Sequence, residues 1–132
     1  MATAQPSTRG RDWTAFNPRA YLDVYYADIG AENYALLQFF VEAYHDVSAD
    51  SVLLDFGSGP TIHALIAAAP RVKEIHLCDY LPANLDEVRQ WLHGESGAFD
   101  WRPFVTTTLQ LERGKPCSDA EAVQRERESA RA

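Results

Sequence analysis

The sequence predicts an α/β fold built on a parallel sheet, and three observations carry that prediction. A short apolar run, Val52 to Phe56, stops on a turn that contains Gly57, Ser58, Gly59 and Pro60. A second apolar run, residues 75–78, ends on an acid, Asp79. Between the two lies an alanine-rich stretch, residues 61–69, closed by Pro70, which reads as a crossover helix.

Val52 to Phe56 has no helical spacing, so it reads as a strand buried on both faces, the central strand of its sheet. Gly57 and Gly59 allow a tight turn and let a ligand approach bare backbone. A helix opening near Thr61 would aim free N–H groups at the same crevice. Strand, Gly-x-Gly turn and helix together form the nucleotide-binding corner of a doubly wound sheet. Gly-Ser-Gly also occurs in ordinary turns, so the added weight comes from Asp79, twenty residues beyond Gly59. An acid at that separation ends the next parallel strand beside the two hydroxyls of a ribose.

A dinucleotide and S-adenosylmethionine both fit such a corner. A dinucleotide fingerprint needs a third glycine where this chain has Ile62. Asp55, just before the turn, would also repel a pyrophosphate and suit a ligand bearing sulfonium and ammonium groups. The residues therefore favour S-adenosylmethionine, with a dinucleotide-dependent oxidoreductase as the competing reading.

The remaining elements follow in chain order. Residues 1–12 are small and polar, and a disordered leader is expected there. Asn17-Pro18 suits a helix start, and the helix that follows spaces Tyr21 with Tyr25 and Leu22 with Tyr26. Those tyrosines serve either as packing rings or as a lid over a charged ligand. Residues 32–47 predict an amphipathic helix with a stripe of Leu36, Leu37, Phe40, Val41 and Tyr44, read as scaffold. A third helix has Pro82 in its first turn and Gly94 past its end. Asn84, in its first turn, either faces the crevice beside Asp79 or serves its own backbone. Residues 104–109 carry the β-branched content of a third strand. The chain divides into a leader (1–12), an α/β part (13–110) and a polar tail (111–132), the tail being expected as a solvated helix or a frayed end.

Composition narrows the function classes. A chain of 132 residues suits one domain of about 100–150 residues, and a net charge of -7 argues against a nucleic-acid partner. No stretch approaches a membrane span and no secretory pattern opens the chain, so a cytoplasmic location is the expectation. Cys78 and Cys117 are expected as two reduced thiols, without His or Cys neighbours at metal-ligand spacing, and His45 as a solvated residue.

Four separated motifs carry a family resemblance: Phe16-Asn17-Pro18-Arg19 with Tyr21 and Tyr25-Tyr26; Asp55 to Ile62; Asp79-Tyr80 with Asn84; and Gly97 to Trp101. From about Trp13 to Val105 the chain resembles the first half of the small-molecule methyltransferases that include the nicotinamide, phenylethanolamine and thioether/indolethylamine N-methyltransferases. The resemblance implies a Rossmann-like methyltransferase sheet with flanking helices, S-adenosylmethionine as cofactor, and methyl transfer to a small amine, pyridine nitrogen or thioether. It implies Tyr21 and Tyr26 over the methionine part of the cofactor, Gly57, Ser58, Gly59 and Thr61 around its carboxylate and backbone, and Asp79, Tyr80 and Asn84 by the ribose. His63 stands where the family has a tyrosine, and it either substitutes through a ring nitrogen or weakens the site. The resemblance implies no catalytic base.

The family sheet has seven strands and this sequence supplies about three, so the sheet is expected to be incomplete. Its first strand would be an open edge that invites self-association. The alternative to an enzyme, whole or truncated, is a non-catalytic fragment that binds cofactor weakly or acts as an interaction domain.

Overall fold

The computed structural model describes residues 13–131. The expected leader, residues 1–12, lies outside the described residues. A short 3-10 turn, Trp13–Ala15, precedes two helices, α1 (Pro18–Tyr25) and α2 (Gly30–Ala43). Two strands follow, β1 (Val52–Phe56) and β2 (Glu74–Cys78), then α3 (Pro82–Leu92), α4 (Arg102–Arg113) and α5 (Asp119–Arg131).

Helix α1 starts as its sequence requires. The Asn17 side chain caps it by accepting from the Ala20 N–H at 3.0 Å, and Pro18 supplies a fixed φ at the first helical position. Arg19 then ties α1 to α3 by donating from Nε and Nη2 to Glu87 Oε2 at 3.2 and 2.9 Å. Helix α2 ends at Ala43, four residues before the predicted end, and only Leu37 of its expected stripe is fully buried. Phe40, Val41 and Tyr44 are half-buried, and Leu36 is exposed.

The sheet has two strands in parallel, with Val52 opposite Glu74 and Phe56 opposite Cys78. Because side chains alternate across a strand, one face carries Leu53, Asp55, Ile75 and Leu77, and Ile75 and Leu77 pack on the core. The opposite face carries Val52, Leu54 and Phe56 beside Glu74, His76 and Cys78, all exposed, with Phe56 at 86%. The expectation of a strand buried on both faces is thus corrected: among the described residues nothing covers the second face.

The expected third strand is instead helix α4. Trp101, Phe104, Val105, Thr108 and Leu109 are buried together, a spacing of three and four residues that selects a helix over the strand preference of Val105 and Thr106 to Thr108. Thr107 and Thr108 offset their poor helix propensity by donating their hydroxyls to the carbonyls four residues back, Pro103 and Phe104, at 2.9 and 2.8 Å.

The expected crossover helix over residues 61–69 is also corrected. The segment is a succession of turns, with Leu65 N–H donating to Ile62 at 3.0 Å and Ala69 N–H to Leu65 at 2.8 Å. It is apolar on every side and lies in the core, with Ile62, Leu65, Ile66 and Ala68 buried. One of its carbonyls, Ile66, takes its partner from outside the segment: Arg125 of α5 donates to it from Nε and Nη2 at 3.3 Å.

That contact shows that the tail is packed. Helix α5 buries Ala122, Arg125 and Ser129 against α4 and α3, and Arg125 pairs with Glu112 of α4. Trp91 and Arg102 both donate to Glu126, which fixes the other flank of α5. The core that results is centred on Leu22, Leu37, Ile62, Ile66, Trp101 and Phe104. Cys78 and Cys117 are free thiols, the first exposed and the second half-buried.

Candidate functional site

The carboxyl ends of β1 and β2 open onto a cleft of about 450 Å³. Its floor is the turn after β1. Gly57 and Gly59 have φ of 72° and 62°, a region that side-chain-bearing residues avoid, and an added Cβ at either would meet nothing within 4 Å. The glycines therefore serve backbone shape and leave open space above them.

The turn is locked by β2. Gly57 and Ser58 N–H both donate to the Cys78 carbonyl, at 2.7 and 3.0 Å, and Gly59 N–H donates to Asp79 Oδ2 at 2.8 Å. Asp79 Oδ1 accepts from Leu81 N–H and from Asn84 Nδ2, each at 2.9 Å. Burial alone would raise the Asp79 pKa, but the hydrogen bonds from Leu81, Asn84 and Gly59 outweigh it and hold the carboxyl below its ordinary value. The three turn amides are engaged and no regular helix opens at Thr61, so of the expected row only the N–H groups from Thr61 to Ala64 are left without an acceptor among the described residues.

Above the floor stand aromatic rings from two helices. Tyr26 packs 5.5 Å from Trp101 and 5.7 Å from Phe104, centroid to centroid, and Tyr21 lies 5.9 Å from Tyr26. Burial and the neighbouring Tyr21 push the Tyr26 hydroxyl pKa up, so it stays protonated. His63 lies in the same aromatic cluster, 5.2 Å from Tyr26, 5.8 Å from Phe40 and stacked on Trp101 at 6.4 Å. It is 9% exposed, and burial lowers its pKa to about 4, so the ring is neutral at pH 7.

Of the residues expected from sequence, Tyr21, Tyr26, Gly57, Ser58, Gly59, Thr61, His63 and Asn84 line this one cleft. Asp79 lies behind it, holding Gly59 and Asn84. Tyr80 is 88% exposed and is not part of the lining. Phe16, Phe40, Pro60 and Ala64 line the cleft without having been expected among the binding residues, and Asp55, expected from sequence to suit a cationic ligand, lines it too. Phe40 was read as scaffold, and its place at the end of the helix leading into β1 was the available signal. Burial raises the Asp55 carboxyl pKa, and both burial and the Asp55 charge raise that of Tyr44.

Two buried polar atoms of lining residues, His63 Nδ1 and Asn84 Oδ1, have no partner among the described residues. Unsatisfied buried groups destabilise a fold, so two of them on residues that line one cleft argue that a ligand completes them.

Over residues 7–132 the sequence matches the model of the NNMT/PNMT/TEMT family. The chain belongs to that family. It is 42% identical to nicotinamide N-methyltransferase of Sus scrofa over 104 residues, 74% of this chain and 39% of the relative. Over 118 residues, 80% of this chain and 41% of the relative, it is 36% identical to phenylethanolamine N-methyltransferase of Sus scrofa. Indolethylamine N-methyltransferase of Mus musculus is 36% identical over 104 residues, 74% of this chain and 39% of that protein. The chain thus spans about 40% of the length of these family members. Family membership accords with the mixed α/β architecture and the two-stranded parallel sheet. Among the described residues, no helix is long and apolar enough to cross a membrane.

Proposed function

We propose that this chain forms the cofactor-holding corner of an S-adenosylmethionine-dependent N-methyltransferase whose acceptor is a small amine, pyridine nitrogen or thioether. The observation that carries the reading is the pair of unpartnered buried atoms, His63 Nδ1 and Asn84 Oδ1, in a cleft at the strand ends. The cofactor's donors and acceptors fit them. Asn84 Oδ1 accepts from a ribose hydroxyl, and its amide stays fixed by Asp79. Asp79 Oδ2, with one hydrogen bond from Gly59, has a lone pair left for a second hydroxyl.

When bound, S-adenosylmethionine supplies an electrophilic methyl group on a sulfonium centre. The chain's own residues bind and orient. Asp55 offers negative charge to the cationic end of the ligand, and Tyr21, Tyr26 and Phe16 close aromatic faces over it. Gly57, Ser58, Gly59 and Thr61 shape the floor, while Trp101 and Phe104 hold Tyr26 and His63 from behind. Transfer of the methyl group then draws on proximity and alignment.

Calorimetric titration of the 132-residue chain with S-adenosylmethionine and with its demethylated product tests this. Saturable binding is expected, weakened at least about tenfold by Asp79→Ala, a loss of roughly 1.4 kcal/mol or more. Asp79→Asn keeps an acceptor for Leu81 N–H and should fall between the two. A natural chain with a folded circular-dichroism spectrum that binds neither compound would refute the proposal.

A further inference from the structure

We infer that His63 takes up a proton when the cofactor binds and becomes the cation facing the ligand's carboxylate. The inference rests on the S-adenosylmethionine reading above and adds a protonation event to it.

The cleft must accommodate an amino acid carboxylate, yet among the described residues no Lys or Arg lines it. Its one charged lining residue is Asp55, which has the wrong sign. The turn amides of Gly57, Ser58 and Gly59 are already donated to the end of β2. The Ser58 and Thr61 hydroxyls are donated to the Gly59 and Ser58 carbonyls, at 3.1 and 2.9 Å. The side-chain donors of the turn are thus spent within it, which leaves the backbone N–H groups from Thr61 onward and the tyrosine hydroxyls as neutral donors. Of the described lining residues only His63 can become a cation, and its Nδ1 is buried with no partner among the described residues.

The surroundings of the ring decide what it does when an anion arrives. From α1 it meets Tyr26, with Tyr21 beyond; from α2 it meets Phe40; and from α4 it meets Phe104, with Trp101 at the helix start. From β1, Asp55 shares the cleft. No cation is among these groups, and burial is what keeps the ring neutral. Desolvation is the force that a buried counter-ion offsets: a carboxylate within a few ångströms stabilises an imidazolium, which then donates from Nδ1. Asp55 offsets the ligand's own cationic groups, so that the carboxylate is the charge the ring meets.

The test is calorimetry of the natural chain with S-adenosylmethionine at pH 6 in buffers of different ionisation enthalpy. Uptake approaching one proton per ligand is expected. Affinity should weaken up to about tenfold for each pH unit of increase until the ring pKa of the complex is reached, and level off above it. 5′-Methylthioadenosine, which has the nucleoside and thioether but no carboxylate, should bind without uptake. His63→Tyr should bind S-adenosylmethionine without uptake or pH slope. Should that variant misfold, ring-proton NMR of the natural chain reports the same event as a raised His63 pKa in the complex. Binding of S-adenosylmethionine with no proton uptake and an unmoved His63 resonance overturns the inference while leaving the cofactor reading intact. Failure of both ligands to bind overturns both.

Discussion

Arg125→Ala is expected to destabilise the fold by about 3–5 kcal/mol, a large share of the roughly 5–15 kcal/mol that holds a domain together. Arg125 is 8% exposed, and its guanidinium joins two elements distant in sequence: Nη2 pairs with Glu112 of α4, and Nε and Nη2 donate to the Ile66 carbonyl in the turn segment. Removing it strands a largely buried carboxylate and a backbone carbonyl together, which costs far more than the pair itself contributes. The urea midpoint reads the loss. The double variant Arg125→Met with Glu112→Leu removes both charges and should recover more than half of it. Arg89→Ala, which breaks the exposed pair with Asp86, sets the scale of a surface interaction at under about 1 kcal/mol. An Arg125→Ala loss as small as that would mean that α5 does not depend on this junction.

Arg125 also marks where sequence reading stops. Residues 119–131 are rich in charges of both signs with few apolar positions, which describes a solvated helix equally well. Only the approach of α4 and the turn segment makes the arginine interior, and no local pattern encodes that approach. Helix α4 is a different case, because the signal was present and was outweighed. Trp101, Phe104, Val105, Thr108 and Leu109 have helical spacing, with Pro103 near the start and Gly114 past the end. Three consecutive threonines suggest a strand, yet the hydroxyls of two of them, Thr107 and Thr108, bond within the helix.

The corner itself was legible because its residues are constrained locally. Glycines at positive φ, an acid at the end of the next strand and a proline in the first turn of α3 each have few alternatives. What the motif did not reveal is that Asp79 spends three hydrogen bonds on holding the corner together. Tyr80, adjacent in sequence, points away from the cleft for the same reason that alternate residues of an extended chain do.

The free protein should lose stability as the medium is acidified from about pH 6.5 to pH 4, and His63 should account for up to about 3 kcal/mol of that loss. The sign follows from its lowered pKa. The unfolded chain binds a proton at this ring near pH 6.5, whereas the folded chain resists until about 4, so within that window acid favours the unfolded state. Above the window both states hold a neutral ring and the full stability is present. Asp55 works in the opposite direction, since its raised pKa lets the folded state gain a proton first. Asp79, with its lowered pKa, adds a loss at more acid pH as its three hydrogen bonds fail. His63→Phe separates these effects because it keeps an aromatic ring among Tyr26, Phe40 and Trp101 and removes the titration. Urea midpoints from pH 7 to pH 4 should fall much less steeply for His63→Phe than for the natural chain. At pH 7 the variant should also match or exceed the natural stability, because an unpartnered buried nitrogen has been replaced by carbon. A position where phenylalanine stabilises the free fold but weakens cofactor binding is one where the histidine is retained for the ligand. Equal acid slopes for the two proteins would instead mean that His63 is not the group that titrates in this window.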